Sequence, residues 1–370
     1  MIKSLHRWLG LSLGLLLVLA GLSGSLLVFQ HEIDGALNPQ LFRNRAACAA
    51  PLDVDGAVAA LGRRWPQARV GFVTMPERDE ASYALQFKAP GVDDNEAMID
   101  ACSGELLGSR DRDAIAIDRL HLMPLLQRWH LSLLQGKTGR AALGYLGLAW
   151  LVLLLAGLVQ AWPARGSGAR GWQRALRVRF DQNAYRSNYD LHRAAGLLAA
   201  VLMLATAFTG FYNGLPELAR SLVAQVADVG AGHRRIALPA LEQDEASISW
   251  NAARAAAAPQ AGAGARLVAL SRMPERGLFQ ARLRRADDWQ RTGTLRLFID
   301  IRNGAVVDVI NPIAGKSGER FLAALFPLHS GQFGGSAGRW LVALSGLLPA
   351  LFFITGLSTW LLRRKARASK

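Results

Sequence analysis

The chain has 370 residues, 51% of them hydrophobic, with 43 Lys and Arg against 28 Asp and Glu for a formal net charge of +15. The apolar residues are gathered into four nearly uncharged stretches rather than spread along the chain, which excludes an ordinary soluble protein. The basic surplus sits beside those stretches, so it excludes a nucleic-acid partner and implies contact with membrane lipids.

Residues 9–29 form the first apolar stretch, long enough at roughly 20 residues to cross a hydrocarbon core of about 30 Å. Lys3 and Arg7 give it a basic start and Gly21 to Gly24 small residues, which also suits a cleaved signal peptide. The apolar run exceeds the usual h-region, so a retained span over 1–30 is expected. An external segment follows at 31–129. It reads as an Ala-rich helix at 54–64 and strands at 69–74 and 83–89, closed by a tight turn from Asp100 to Gly104. It also holds both cysteines, Cys48 and Cys102; an oxidising compartment favours a disulfide, and two free thiols is the other reading.

The second stretch, 141–161, lies within a predicted span at 130–163 and leads to a basic loop at 164–190. There Arg165, Arg170, Arg174, Arg177, Arg179 and Arg186 face only Asp181 and Asp190. The third stretch, 194–215, lies in a predicted span at 191–215. A second external segment at 216–328 carries a helix at 250–258, strands at 266–273, 278–285 and 292–300, and a matching turn from Asp300 to Gly304. The last stretch, 340–362, lies in a predicted span at 329–362, followed by a basic tail at 363–370. The positive-inside rule places loop and tail in the cytoplasm, which requires both termini inside, four crossings and both long segments outside. Trp8, Trp162 and Trp360 then mark the inner boundary, and Trp129 and Trp340 the outer one.

The chain repeats itself. Leu5-His6-Arg7-Trp8-Leu9-Gly10 matches Leu191-His192-Arg193-Ala194-Ala195-Gly196, and Ser23-Gly24 matches Thr209-Gly210 at the same offset. His130, Gly139-Arg140, Gly147 and Gly157 likewise match His329, Gly338-Arg339, Gly346 and Gly356. The fold expected is therefore a mainly α membrane protein: a four-helix transmembrane bundle from two parallel repeats, carrying two external α+β domains.

Four of seven histidines occupy repeat-equivalent positions at span boundaries, His6 with His192 on one side and His130 with His329 on the other. Two imidazoles facing one another across a bundle satisfy six-coordinate haem iron, so the pattern predicts two haems, one per leaflet, and electron transfer as their work. The bland reading of one boundary histidine, an interfacial side chain, weakens for four in two symmetric pairs. Arg7 and Arg193 follow one pair directly, and Arg140 and Arg339 lie ten residues after the other. Haem propionates are candidate partners for these guanidiniums, with interfacial anchoring as the alternative. His31 is held as a reserve ligand, while His121 and His233 have no repeat partner. The chain has no HExxH, P-loop, CxxCH or well-placed GxSxG.

The opening Leu5 to Gly10, Glu32-x-Asp34 with Asn38-Pro39, Asp190 to Arg193, Leu328-His329-Ser330-Gly331-Gln332-Phe333-Gly334-Gly335 and the closing Trp360 to Arg364 resemble the PepSY-associated transmembrane family. Within it, the likeness is to bacterial inner-membrane ferric-siderophore reductases. The resemblance implies PepSY-like periplasmic domains, b-type haem, and electrons passing outward to a ferric siderophore; the donor expected is quinone-linked or cytoplasmic. The rival functions are a PepSY-domain regulator of a periplasmic protease or envelope sensor, and a transporter working between the repeats.

Overall fold

The computed structural model describes residues 1–42, 51–76, 82–229, 236–242, 245–262 and 264–368. In chain order its elements are α1 (Ile2–Leu27), α2 (Gln30–Leu37), α3 (Val54–Arg64), β1 (Arg69–Thr74), β2 (Ser82–Lys88), β3 (Glu96–Asp100), β4 (Leu106–Arg110), α4 (Leu122–Ser132) and α5 (Gly136–Ala161). There follow α6 (Gly168–Leu176), α7 (Ala184–Leu198), α8 (Ala200–Gly214), α9 (Pro216–Val223), α10 (Trp250–Ala261), β5 (Arg266–Met273), β6 (Leu278–Arg284), β7 (Leu295–Asp300), β8 (Val306–Ile310), α11 (Ser317–Ser330), α12 (Gly335–Ser345) and α13 (Leu348–Ala368). They fall into a helical unit, Met1–Phe29 with Leu126–Leu222 and Leu325–Lys370, and a sheet unit, Gln30–Leu125 with Val223–Ala324.

In the helical unit, α1, α5 and the stretch Gln332–Ala368 are long and apolar enough to cross a membrane. The segment expected as a third straight span is two helices, α7 and α8, bent by 69°. The joint at Ala199 falls between α7, which carries Arg186, Asp190 and Arg193, and the uncharged α8. The last expected span is also interrupted, between α12 and α13, just ahead of Pro349, whose ring nitrogen has no hydrogen to continue the ladder. Helix α5 packs along α8 and against α1, α1 packs along α13, and α13 along α7. A Cβ on Gly214 would lie 2.3 Å from the Cα of Gly144, so α5 and α8 cross where both carry only hydrogen. Leu17, Leu146 and Leu153 pack together inside. Leu15, Leu19, Leu22 and Leu26 on α1 and Val152, Leu155 and Val159 on α5 stay exposed, as a lipid solvent requires.

The alternating runs form β1, β2, β5, β6 and β7, and together with β3, β4 and β8 they lie in one antiparallel sheet in the order β4-β3-β2-β1-β5-β6-β7-β8. The strands of the first and second sheet segments meet at β1 and β5, with Val73 opposite Leu270. Left apart, each group of four would expose β1 or β5 as an open edge; pairing them satisfies both rows of backbone groups. One face of the sheet carries α3 and α10, burying Val54, Leu61, Val73 and Leu85 with Trp250, Leu270, Phe279 and Leu297. These helices cap one another: the Asp55 carboxylate accepts from the Trp250 and Asn251 amides, and Asn251 Oδ1 accepts from the Val54 amide.

On the other face, Arg110 binds Asp34 at 2.9 Å and Glu96 at 2.8 Å, and Arg112 reaches Glu96 at 3.1 Å. Burial alone lowers the Arg110 pKa, but the Glu96 and Asp34 carboxylates override it and push the pKa up. Asn38 donates to Asp34 at 2.8 Å and to the Arg119 carbonyl at 2.7 Å, tying the end of α2 to this network. Removing both carboxylates would strand a buried guanidinium at a cost of about 3–5 kcal/mol. Cys102 sits in the turn that follows β3, where the Asp100 carboxylate accepts its amide; Cys48 lies outside the described residues.

Candidate cofactor site

The helical unit brings the four repeat-matched histidines together in two pairs. His6 on α1 and His192 on α7 have ring centroids 6.0 Å apart, and His130 on α4 and His329 on α11 have centroids 6.2 Å apart. His130 and His329 were expected just ahead of the second and fourth spans. Each instead ends a separate helix, set off from the span by a sharp turn. After His130 the turn holds Leu133 and Leu134 at φ 49° and 60°, a left-handed strain of about 1–2 kcal/mol per residue. After His329 it uses Gly331 and Gly335.

Each imidazole is seated by the same two devices. The first is a glycine beneath the ring: a Cβ on Gly24 would come within 2.9 Å of His130 Cε1, and one on Gly157 within 2.8 Å of His6 Cε1. Gly356 and Gly210 stand under His192 and His329 at 3.5 and 3.7 Å. The second is a hydrogen bond at Nδ1. His6 Nδ1 lies 3.0 Å from the Leu153 carbonyl, His130 Nδ1 2.9 Å from Ser23 Oγ, His192 Nδ1 2.9 Å from Thr355 Oγ1 and His329 Nδ1 2.9 Å from Thr209 Oγ1.

These contacts fix the tautomers. A carbonyl only accepts, so His6 carries its proton on Nδ1. The three hydroxyls spend their single proton one turn back along their own helix, Ser23 on Leu19 O at 2.9 Å, Thr209 on Ala205 O at 2.8 Å and Thr355 on Leu351 O at 2.7 Å. Each oxygen is then an acceptor toward the histidine, whose Nδ1–H donates. All four Nε2 atoms are left with a bare lone pair, the state a metal ligand needs, and an engaged Nδ1–H is the usual support of a ligating histidine.

The spacing fits a metal held axially. An imidazole nitrogen sits about 2 Å from a bound first-row metal, and the ring centre about 1 Å beyond, so two rings ligating one metal from opposite sides have centroids about 6 Å apart. Among the described residues no group of three or more His, Cys, Asp and Glu side chains converges, so protein ligands alone do not enclose an ion. Two facing imidazoles suit a metal that brings its own equatorial ring.

The arginines are placed differently from the histidines. Arg140 Nε donates to the Asn213 carbonyl at the end of α8, and Arg339 donates through Nε and Nη2 to Val28 O just past the end of α1, with Phe29 under its guanidinium. Arg193 donates to the Ala175 and Arg174 carbonyls at the end of α6 and to Asp190, which also binds Arg179 and Arg186. Three of the four thus cap helix C-termini, where cations are favoured; Arg7 lies over the Trp8 ring. His31 is exposed on α2, and His121 bonds Asp118 at 2.8 Å, holding that carboxyl below its usual range. His233 lies outside the described residues.

Sequence reasoning found the histidines and missed their supports. Ser23 and Thr209 appeared only as repeat matches; their meaning lies in a contact with another helix. No curated protein matches the chain. The family description PepSY-associated TM region matches residues 3–363. With apolar helices and a match over nearly its whole length, the chain is a membrane protein belonging to the PepSY-associated transmembrane-region family.

Proposed function

We propose that this protein is a di-haem electron conduit of the bacterial inner membrane that reduces ferric siderophores in the periplasm. His6 and His192 would hold one b-type haem and His130 and His329 the other, each through Nε2. When bound, haem would supply one-electron carriage, with His6 and His192, and His130 and His329, as the residues that would hold it. Ser23, Thr209, Thr355 and the Leu153 carbonyl hold the four ligand tautomers, and Gly24, Gly157, Gly210 and Gly356 let the rings sit against the helices. The single observation that carries this reading is the pair of histidine pairs at 6.0 and 6.2 Å with every Nδ1 engaged.

The reading includes a duplicated bundle with both termini in the cytoplasm. Its supports are the matched sequence segments, the basic loop and tail, and the ring of contacts α8–α5–α1–α13–α7. A quinone or a cytoplasmic reductase would supply electrons at the His6 side. A ferric siderophore would accept them outside, where reduction weakens the hold of hard oxygen donors on iron.

The test is purification from haem-replete cells, absorption before and after dithionite, and reduction of a ferric chelate by the dithionite-reduced protein. The expected result is a b-type spectrum and oxidation of the protein on adding the chelate. A folded, colourless protein would overturn the reading.

A further inference from the structure

We propose that Phe352 is a positioning residue that sets the plane of the His192 imidazole and so gives the His6–His192 pair its crossed geometry. The proposal rests on the haem reading above for its meaning, since a ligand's plane matters only where a metal is held.

The sequence match that pairs Gly157 with Gly356 also pairs Leu153 with Phe352. Each of these two residues lies one helical turn before the glycine that seats a histidine, so each side chain falls on the face turned to that histidine. The contacts agree. A Cβ on Gly10, four residues after His6, would lie 3.8 Å from Leu153 Cδ1, and one on Gly196, four residues after His192, would lie 4.0 Å from Phe352 Cε1.

The two places are alike in packing and unlike in shape. Leu153 has no plane, and it serves His6 through its backbone carbonyl. Phe352 is a flat ring that meets His192 in a T-shaped contact, with centroids 5.3 Å apart and planes 66° apart, an arrangement aromatic pairs favour. Among the described residues His192 alone of the four histidines touches a third ring; His6 touches only His192, and His130 and His329 touch only one another.

The hydroxyl behind His192 does not explain the crossing. Ser23 and Thr209 make the same bond to His130 and His329, whose planes lie 37° apart, against 89° for His6 and His192. An Nδ1 bond fixes the tautomer and one edge of the ring, and an aromatic neighbour limits the swing about that edge. Of the groups that distinguish the crossed pair, Phe352 is the one that acts on His192.

The plane has a spectroscopic reading of its own. Two axial imidazoles at right angles act on different d orbitals of a low-spin ferric ion and leave them nearly equal in energy, whereas parallel ones split them. Near-equality gives the largest leading g value, so turning one ring out of the crossed position lowers it.

The experiment is electron paramagnetic resonance of the oxidised full-length protein in detergent, with haem content measured beside it. In Phe352→Leu, which installs the residue of the matching position, the leading g value of the His6–His192 signal should fall, with both haems retained and the His130–His329 signal unmoved. Phe352→Tyr keeps the ring and should keep the wild-type spectrum. An unmoved signal in a fully loaded Phe352→Leu would overturn the proposal, as would equal shifts in the Leu and Tyr variants, which would assign the effect to fit rather than to the ring. If Phe352→Leu sheds one haem, Phe352→Met, closer in volume, takes its place with the same expected shift; loss of haem there too would make Phe352 a filler of space and overturn the proposal. A colourless wild type would overturn the haem reading, and the proposal with it.

Discussion

The two histidine pairs use the same chemistry with different tolerances. At His130 and His329 both rings donate to a hydroxyl, from Ser23 and Thr209 at matched positions in α1 and α8. At His6 and His192 only one does: Thr355 serves His192, while the position that matches Thr355 is Ala156, and His6 turns to the Leu153 carbonyl instead. The ring planes differ as well, nearly perpendicular at 89° for His6 and His192 and 37° apart for His130 and His329. A carbonyl costs no side chain and cannot be lost by substitution, whereas a hydroxyl can. The comparison teaches that what is held constant is the engaged Nδ1–H; the group that engages it is free to vary.

The largest effect should come from removing a ligand. His329→Ala should lower bound haem from about two to about one per chain, with the His6–His192 site keeping its spectrum, as pyridine haemochrome assay and absorption will show. Loss of both haems would break the independence of the pairs.

Next come the seats. Gly24→Ala and Gly157→Ala push a methyl to 2.9 and 2.8 Å from a ring carbon, while Gly210→Ala and Gly356→Ala leave 3.7 and 3.5 Å. Each of the first two should cost its own site most of its haem, and each of the second two should be nearly silent. The same assay on all four variants checks the contrast.

A smaller change is expected from the hydroxyls. Thr355→Val and Ser23→Ala should each weaken haem retention at their own site by about 10–100-fold, the usual range for losing a partner behind a ligating histidine, measured by haem transfer to apomyoglobin. The smallest effect should follow Ala156→Ser. It offers His6 the hydroxyl it lacks, and the existing carbonyl bond leaves little to gain.

Much of this was legible in the chain. The spans, the strands and the four histidines follow from apolar runs, alternation and self-similarity, signals that reside in near neighbours or in a fixed offset. The joining of the two sheet segments through Val73 and Leu270 was not, because an edge-to-edge pairing between distant strands leaves no local trace. Nor was the bend at Ala199, where neither proline nor glycine marks the joint. Ser23, Thr209 and Thr355 look in sequence like ordinary small polar residues of apolar helices, and only packing gives their oxygens a histidine. Arg140, Arg193 and Arg339 read as propionate partners, yet their visible bonds end helices, a role set by where α8, α6 and α1 stop.

The most direct test is electron paramagnetic resonance of the oxidised, purified protein. Two low-spin ferric haem signals of equal weight are predicted, distinct from one another because the axial planes differ, with one lost in His329→Ala and the other in His192→Ala. A high-spin ferric signal as the main species, or a single signal removed by both substitutions, would contradict axial ligation by two separate histidine pairs.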